Sequence, residues 1–349
     1  MINKIEQQNI KQQRIDDFLT FYTNSMFVKD IDPNIWLSKY IIDRMELNDE
    51  QILWFCFLCS ITYQLPTAYL IINEYPDLEL IDEHRLKEWW SQVQQRCPFQ
   101  KDKLKQRKYL PETIMSYKNL VNGSQTKFFN DILTGSDTEN FNYLWNVLYK
   151  NIAHFGRFSV WNWSQMLKQV AQYNIEPDTL FLGESNSESH THGLCYAIGK
   201  DEWAKKIRYK DGEKRKKEVH NFTKDEKILL ESEAEYILEK LLESDVEVDR
   251  FYIETVACAY KKLFRNNDSR YVGYYLDRQA EDIIKLEREN WYGVDWKLLW
   301  DARRELLNKN HLHTKVDTSK FSLPYEEKIQ LPKEMKCNMI QSILHGDLK

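Results

Sequence analysis

A mainly α, multi-helix fold is what this sequence predicts, and three observations carry the expectation. Only 10 Gly and 8 Pro punctuate the 349 residues, too few turn formers for an all-β sandwich or a glycine-rich nucleotide fold. Apolar residues recur at helical spacing through most of the chain. Capping boxes, a Ser, Thr or Asn followed three residues later by Glu or Gln, mark helix starts at Asn48/Gln51, Ser136/Glu139 and Thr223/Glu226. A composition of 42% hydrophobic and 30% charged residues excludes a disordered chain and is enough to bury a large core, as one big domain or two intimate lobes.

Taken in order, residues 1–15 form a polar extension rich in Gln, Lys and Asn, with a helix beginning near Arg14. Asp32-Pro33 offers a cap and a first-turn proline for a helix through Trp36, Tyr40, Ile41 and Met45. The helix opened by Asn48 runs through Leu53–Cys59 and is apolar all round, so it should be central and buried. Helices follow over Thr67–Ile72, around Trp89 and Trp90, and from Ser136 through Leu148. Between Ala153 and Lys200 glycines and short polar clusters interrupt the periodicity, which reads as positioned loops, where binding and catalysis concentrate. Helical pattern resumes at Thr223 and lasts to about Leu307. The expected division is an extension (1–15), a helical domain (16–309) with lobes near 16–150 and 151–309, and a tail (310–349). No internal repeat is present.

The N-terminus lacks an apolar leader core, and no stretch approaches the roughly 18 apolar residues of a membrane span. The sequence thus predicts a cytoplasmic protein without membrane contact, and it carries no sign of an oligomeric state. Six scattered cysteines have no disulfide-framework spacing and read as reduced thiols. A net charge of -5 excludes a chain that is basic all over; it still permits one basic face for nucleic acid.

Several clusters carry chemistry, each with a plainer alternative. Cys56 and Cys59 form a CxxC inside an apolar helix without a second pair, the pattern of core thiols. His190 and His192 flank Thr191 and could hold a metal if Glu184 or Glu188 folded nearby, but a lone His-x-His assigns no metal. Two basic clusters, Lys101, Lys103, Lys105, Arg107 and Lys108, then Lys205, Lys206 and Arg208 with the lysines that follow, suit a phosphate backbone; the alternative is a solvated face. The segment His154–Trp163 packs Arg157 among Phe158, Trp161 and Trp163, rings that either stack on a base or fill a core. Asp277 and Glu281 stand four apart on one helical face beside Arg278, either a surface ladder or a source of a general base.

Five stretches resemble, in chain order, the phage amino acid:DNA transferases grouped with the α-glutamyl/putrescinyl thymine pyrophosphorylases. They are WFCFLCSITYQLPTAYLIINEYPD from Trp54, FGRFSVWNW from Phe155, GLCYAIG from Gly193, GYYLDRQAE from Gly273 and GVDWKLLWDARRE from Gly293. The resemblance implies a DNA-glycosylase-like helical architecture with two lobes around a cleft. It also implies action on double-stranded DNA whose 5-hydroxymethyluracil has been pyrophosphorylated, the pyrophosphate being displaced by the amine of a free amino acid, typically glycine. Thr191-His192 stands where the family has Arg-Asn, which puts substrate contacts in that loop in doubt.

Under this reading Phe158, Trp161 and Trp163 stack on the base and Asn162 meets its edge, while Arg157, Arg303 and Arg304 hold the leaving group. Asp277, Glu184 or Glu188 takes the amine proton, and Arg278 grips the amino acid carboxylate, with His192 near the substrate. No organic cofactor is required, and a divalent metal stays open as an aid to the pyrophosphate. A helical DNA glycosylase and a non-enzymatic DNA-binding protein are the competing readings.

Overall fold

The computed structural model describes residues 4–27, 29–100, 106–184, 187–211, 214–244, 246–264, 274–289, 291 and 293–306. Fourteen helices and one hairpin are present among them: α1 (Lys4–Phe27), α2 (Pro33–Met45), α3 (Asp49–Thr62), α4 (Leu65–Glu74), α5 (Glu83–Val93), α6 (Leu110–Val121), α7 (Gln125–Ile132), α8 (Asp137–Asn151), α9 (Arg157–Gln169), α10 (Glu188–Ala197), β1 (Lys206–Asp211), β2 (Lys214–Val219), α11 (Lys224–Leu242), α12 (Arg250–Tyr260), α13 (Tyr274–Glu287) and α14 (Lys297–Leu306). The mainly α expectation holds, and the expected tail from Asn310 lies outside the described residues.

Contacts divide the chain into two compact units that are not continuous in sequence. Among the described residues, one holds those up to Ile31 together with Thr179–Tyr274; the other holds Asp32–Asp178 together with residues 275–306. In the second unit α3 is the central helix, buried from Leu53 to Thr62 as its unbroken apolar sequence requires, with α2, α4, α7 and α9 packed around it. Its ring stack of Phe57 on Tyr117, centroids 3.8 Å apart, faces Trp163 edge-on at 5.4 and 5.8 Å. In the first unit α10 packs against α12, α1 and α11.

All three predicted capping boxes form, each with reciprocal bonds between cap and third-position side chain. Two local expectations fail. The first helix starts at Lys4 and not near Arg14, because Gln and Lys are good helix formers even without an apolar stripe. The segment between Ala153 and Lys200 contains two regular helices, α9 and α10; Gly156 and Gly199 adjoin their ends, while Gly193 lies inside α10. The basic run after Lys205 forms an antiparallel ribbon pairing Arg208 with Lys217 and Lys210 with Arg215.

Glu50 ties α3 to α7. Its carboxylate accepts from the Ser124 hydroxyl at 2.6 Å and from the Gln125 and Thr126 amides at 2.9 and 3.0 Å, at the helix end where negative charge is favoured. Burial alone would raise its pKa, but these bonds outweigh burial and lower it. Its folded-state pKa therefore lies below the unfolded one, so the stabilisation is present above about pH 4.5 and disappears as pH falls through the folded value. Glu50→Gln is expected to cost about 1–2 kcal/mol at pH 7, and denaturant melts should show this difference shrinking in acid.

Candidate functional site

The segment FGRFSVWNW opens α9, with Gly156 in the cap position and Arg157 in the first turn. Helical periodicity puts Phe158, Asn162, Gln165 and Gln169 on one stripe of this helix. Phe158 is 37% exposed, whereas Asn162 and Gln165 are 4% and 3% exposed. A buried polar stripe needs partners, and for Gln165 the partner is Asp32: its Nε2 donates to Oδ2 at 2.6 Å. The Tyr63 hydroxyl donates to the other oxygen at 2.8 Å, and the Tyr63 ring leans on Phe158 with centroids 5.3 Å apart. The Asn162 amide nitrogen is buried with no hydrogen-bond partner among the described residues.

Asp32 does not cap α2 through its side chain. Its backbone lies in the left-handed region (φ 44°), and its carboxylate is turned to Tyr63 and Gln165 instead of to the helix amides. Tyr63, which ends α3, is left-handed as well (φ 52°), an arrangement uncommon for a bulky residue. Two strained residues joined by one hydrogen bond mark a place where local geometry is held by its surroundings. Two residues beyond Asp32, Asn34 accepts from Gln279 of α13 at 2.8 Å, and Arg303 of α14 donates to the Leu276 carbonyl at 2.9 Å. These bonds join α2, α3, α9, α13 and α14 of one unit into a polar seam.

One turn beyond Gln279, Asp282 is 4% exposed, and its Oδ2 has no hydrogen-bond partner among the described residues. Burial pushes its pKa up to about 6, with Arg278 and Lys285 opposing. Because the folded state holds this proton more tightly than the unfolded chain, stability declines as pH rises from about 4 to about 6 and stays lowered above that. Asp282→Asn is accordingly expected to raise stability by about 2 kcal/mol at pH 7, with little gain at pH 4, as thermal melts at the two pH values will show.

The other unit holds a second buried constellation. His190 of α10 places Nδ1 2.8 Å from Glu254 Oε1 of α12, and its Nε2 lies 3.0 Å from the Leu180 carbonyl. Cys258, one turn after Glu254, completes a group whose donor atoms all lie within 4.8 Å of one another. Burial would lower the His190 pKa, but Glu254 and Cys258 outweigh it and raise it to about 9. The helices approach closely because Gly193 faces the Ala257 carbonyl, where a Cβ would stand 1.9 Å away.

Comparison with known proteins bears on both constellations. The family model for amino acid:DNA transferases matches residues 29–268. The chain belongs to that family. The matched span contains Asp32, Tyr63, Gln165, His190, Glu254 and Cys258; the α13 and α14 residues lie beyond it. A serinyltransferase of Salmonella phage ViI is 27% identical over 268 residues, which cover 73% of this chain and 63% of that protein. The chain thus spans less than two thirds of that relative's length, and no solved structure matches it.

Placed in the transferase fold, several nominated residues leave the roles their sequence suggested. Trp161 and Trp163 are 2% and 0% exposed and pack in the core, so neither offers a face to a base; Phe158 alone of the three rings is open. Arg303 is 6% exposed and committed to the Leu276 carbonyl, which makes it a tie between α14 and α13 and not a phosphate clamp. Arg304 is exposed and paired with Asp301. Arg157 is half-buried, its guanidinium 5.9 Å from the rings of both Trp145 and Trp161.

Arg278 is exposed and bonds Glu281 at 2.5 Å, while the Asp277 side chain lies outside the described residues. Glu184 is exposed and 3.7 Å from Lys227, and Glu188 is half-buried in the first turn of α10. His192 is 2% exposed, and Thr191 beside it donates to the Ser187 carbonyl, so the pair that departs from the family pattern is interior and not a substrate contact here. His190 groups with Glu254 and Cys258 and not with His192, since residues two apart on a helix point to different sides.

Of the basic residues, Lys101, Lys103 and Lys105 lie outside the described residues. Arg107 is half-buried and donates to Gln95 at 2.6 Å, Lys108 is exposed over the Tyr109 ring, and Lys205 is exposed. Lys206 and Arg208 occupy β1, with side chains outside the described set. Sequence reasoning missed Asp32, Tyr63, Gln165, Glu254 and Cys258. The polar stripe on α9 was the available signal for the first three. Among the described residues no helix is long and apolar enough to cross a membrane.

Proposed function

We propose that this protein displaces pyrophosphate from a 5-(pyrophosphoryloxymethyl)uracil in phage DNA with the amine of a small amino acid, working in the host cytoplasm. The family match over residues 29–268 carries this reading, and the α9 seam supplies groups suited to it. The base stacks on Phe158, the one open ring of the three on this helix. Arg157, beside the unblocked Gly156 cap, neutralises the departing pyrophosphate. Arg278 exchanges Glu281 for the carboxylate of the amino acid.

The C–O bond to pyrophosphate breaks with its electron pair leaving on oxygen, a C–N bond forms, and the proton lost by the amine passes to the Asp32 carboxylate. Tyr63 and Gln165 hold that carboxylate in one orientation throughout. Lys108, exposed over the Tyr109 ring, supplies a phosphate contact to the duplex.

The test is to incubate the protein with pyrophosphorylated phage DNA and either glycine or serine, digest to nucleosides and weigh them. A thymidine derivative carrying the amino acid supports the reading, and the preferred partner identifies the amine. The related phage protein is named for serine. An abasic site would reveal a glycosylase; unchanged nucleosides with retained DNA affinity would reveal a binding protein.

A further inference from the structure

We propose that His190, Glu254 and Cys258 form a divalent metal site of the zinc class that pins α10 to α12. This does not depend on the transferase reading. The donors are an imidazole, a carboxylate and a thiol, the set that zinc accepts in tetrahedral sites, and they lie within 4.8 Å of one another. Glu254 and Cys258 are four apart on α12 and so share one face, while His190 arrives from α10 across the Gly193–Ala257 crossing.

The Nε2 of His190 is bonded to the Leu180 carbonyl, which fixes the ring and leaves Nδ1 to point at the other two donors. Ligating histidines are oriented in this way, with the second nitrogen donating to a carbonyl or carboxylate. His190 and Glu254 are 2% and 8% exposed, so bulk water competes weakly, and half-buried Cys258 leaves a side from which an ion and a fourth, water ligand can enter.

Nδ1 and Oε1 stand 2.8 Å apart. Zinc bonds of about 2.0 Å set a ligand-to-ligand edge of roughly 3.3 Å, so the pair opens by about half an ångström when the ion enters. The exchange is balanced. One divalent ion takes the imidazole at Nδ1 and the Cys258 sulfur as thiolate, and the protons those donors carry leave to solvent as it binds.

Tag-free, chelator-stripped full-length protein is titrated with Co²⁺ and then with Zn²⁺. The expected result is one equivalent bound, a near-ultraviolet thiolate-to-cobalt band that zinc bleaches, protons released as the ion binds, and a zinc-dependent rise in melting temperature. Cys258→Ser should abolish the band, and Glu254→Gln should weaken affinity about tenfold or more, with circular dichroism confirming that both fold. Wild-type protein showing neither the band nor the zinc-dependent rise would overturn the site. So would a band undiminished in Cys258→Ser, which would assign the metal to other thiols.

Discussion

Asp32→Asn is expected to lower single-turnover transfer by about 10²- to 10⁴-fold while leaving the fold and DNA affinity near their original values. Asparagine has the same shape, so the Tyr63 hydroxyl can still donate to its Oδ1, and the Gln165 amide can turn over to accept from its Nδ2. What disappears is the proton acceptor. The incoming amino acid is an ammonium ion at neutral pH and cannot attack until it loses a proton. The variant should therefore recover rate as pH rises and solution supplies more neutral amine, a profile that a purely structural change would not produce. Tyr63→Phe, which removes one bond that holds the carboxylate, should cost less. Single-turnover kinetics on pyrophosphorylated DNA, with a gel-shift assay for binding, checks both; Asp32→Asn turnover near wild type would remove Asp32 from the chemistry.

The parts of this molecule that were legible in the sequence are those fixed by short-range bonds. Asn48 with Gln51, Ser136 with Glu139 and Thr223 with Glu226 are three residues apart, and the bonds they make decide helix starts before any tertiary contact exists. Asp32 shows where that logic ends. Its position before Pro33 gives it every local feature of a cap, yet Gln165, 133 residues away, takes one carboxylate oxygen and Tyr63 the other. Bonds to two side chains from different helices outweigh one bond to a backbone amide.

The α9 stripe was hidden for another reason. The glycines around it read as loop signals, although Gly156 only opens the helix and Gly193 lies inside α10. Glycine marks a backbone requirement, and sequence does not say whether that requirement is a turn or a close approach. Trp161 and Trp163 illustrate a similar ambiguity, since rings at helical spacing serve a core or a stacking site equally well. Burial assigns them to the core.

Gly193→Ala is expected to be the most damaging single-methyl change in the described structure. The added Cβ would stand 1.9 Å from the Ala257 oxygen, 2.5 Å from its carbonyl carbon and 2.9 Å from its Cα. All three are backbone atoms of a helix, so no rotamer change relieves the clash. The helices must part by roughly 1.5 Å to reach ordinary contact. Ordinary overpacking costs about 1–3 kcal/mol, and here the separation also pulls His190 from Glu254, leaving buried charges uncompensated at a cost of about 3–5 kcal/mol. The two costs overlap, yet either is a large fraction of a typical domain stability of about 5–15 kcal/mol. Gly193→Ala should therefore be recovered largely in inclusion bodies, or melt at least 10 °C lower. Gly156→Ala is the matched control: nothing lies within 4 Å of its Cβ position, and losing glycine from a cap costs only about 1 kcal/mol or less. If both variants melt alike, the close crossing of α10 and α12 is not what demands glycine at residue 193.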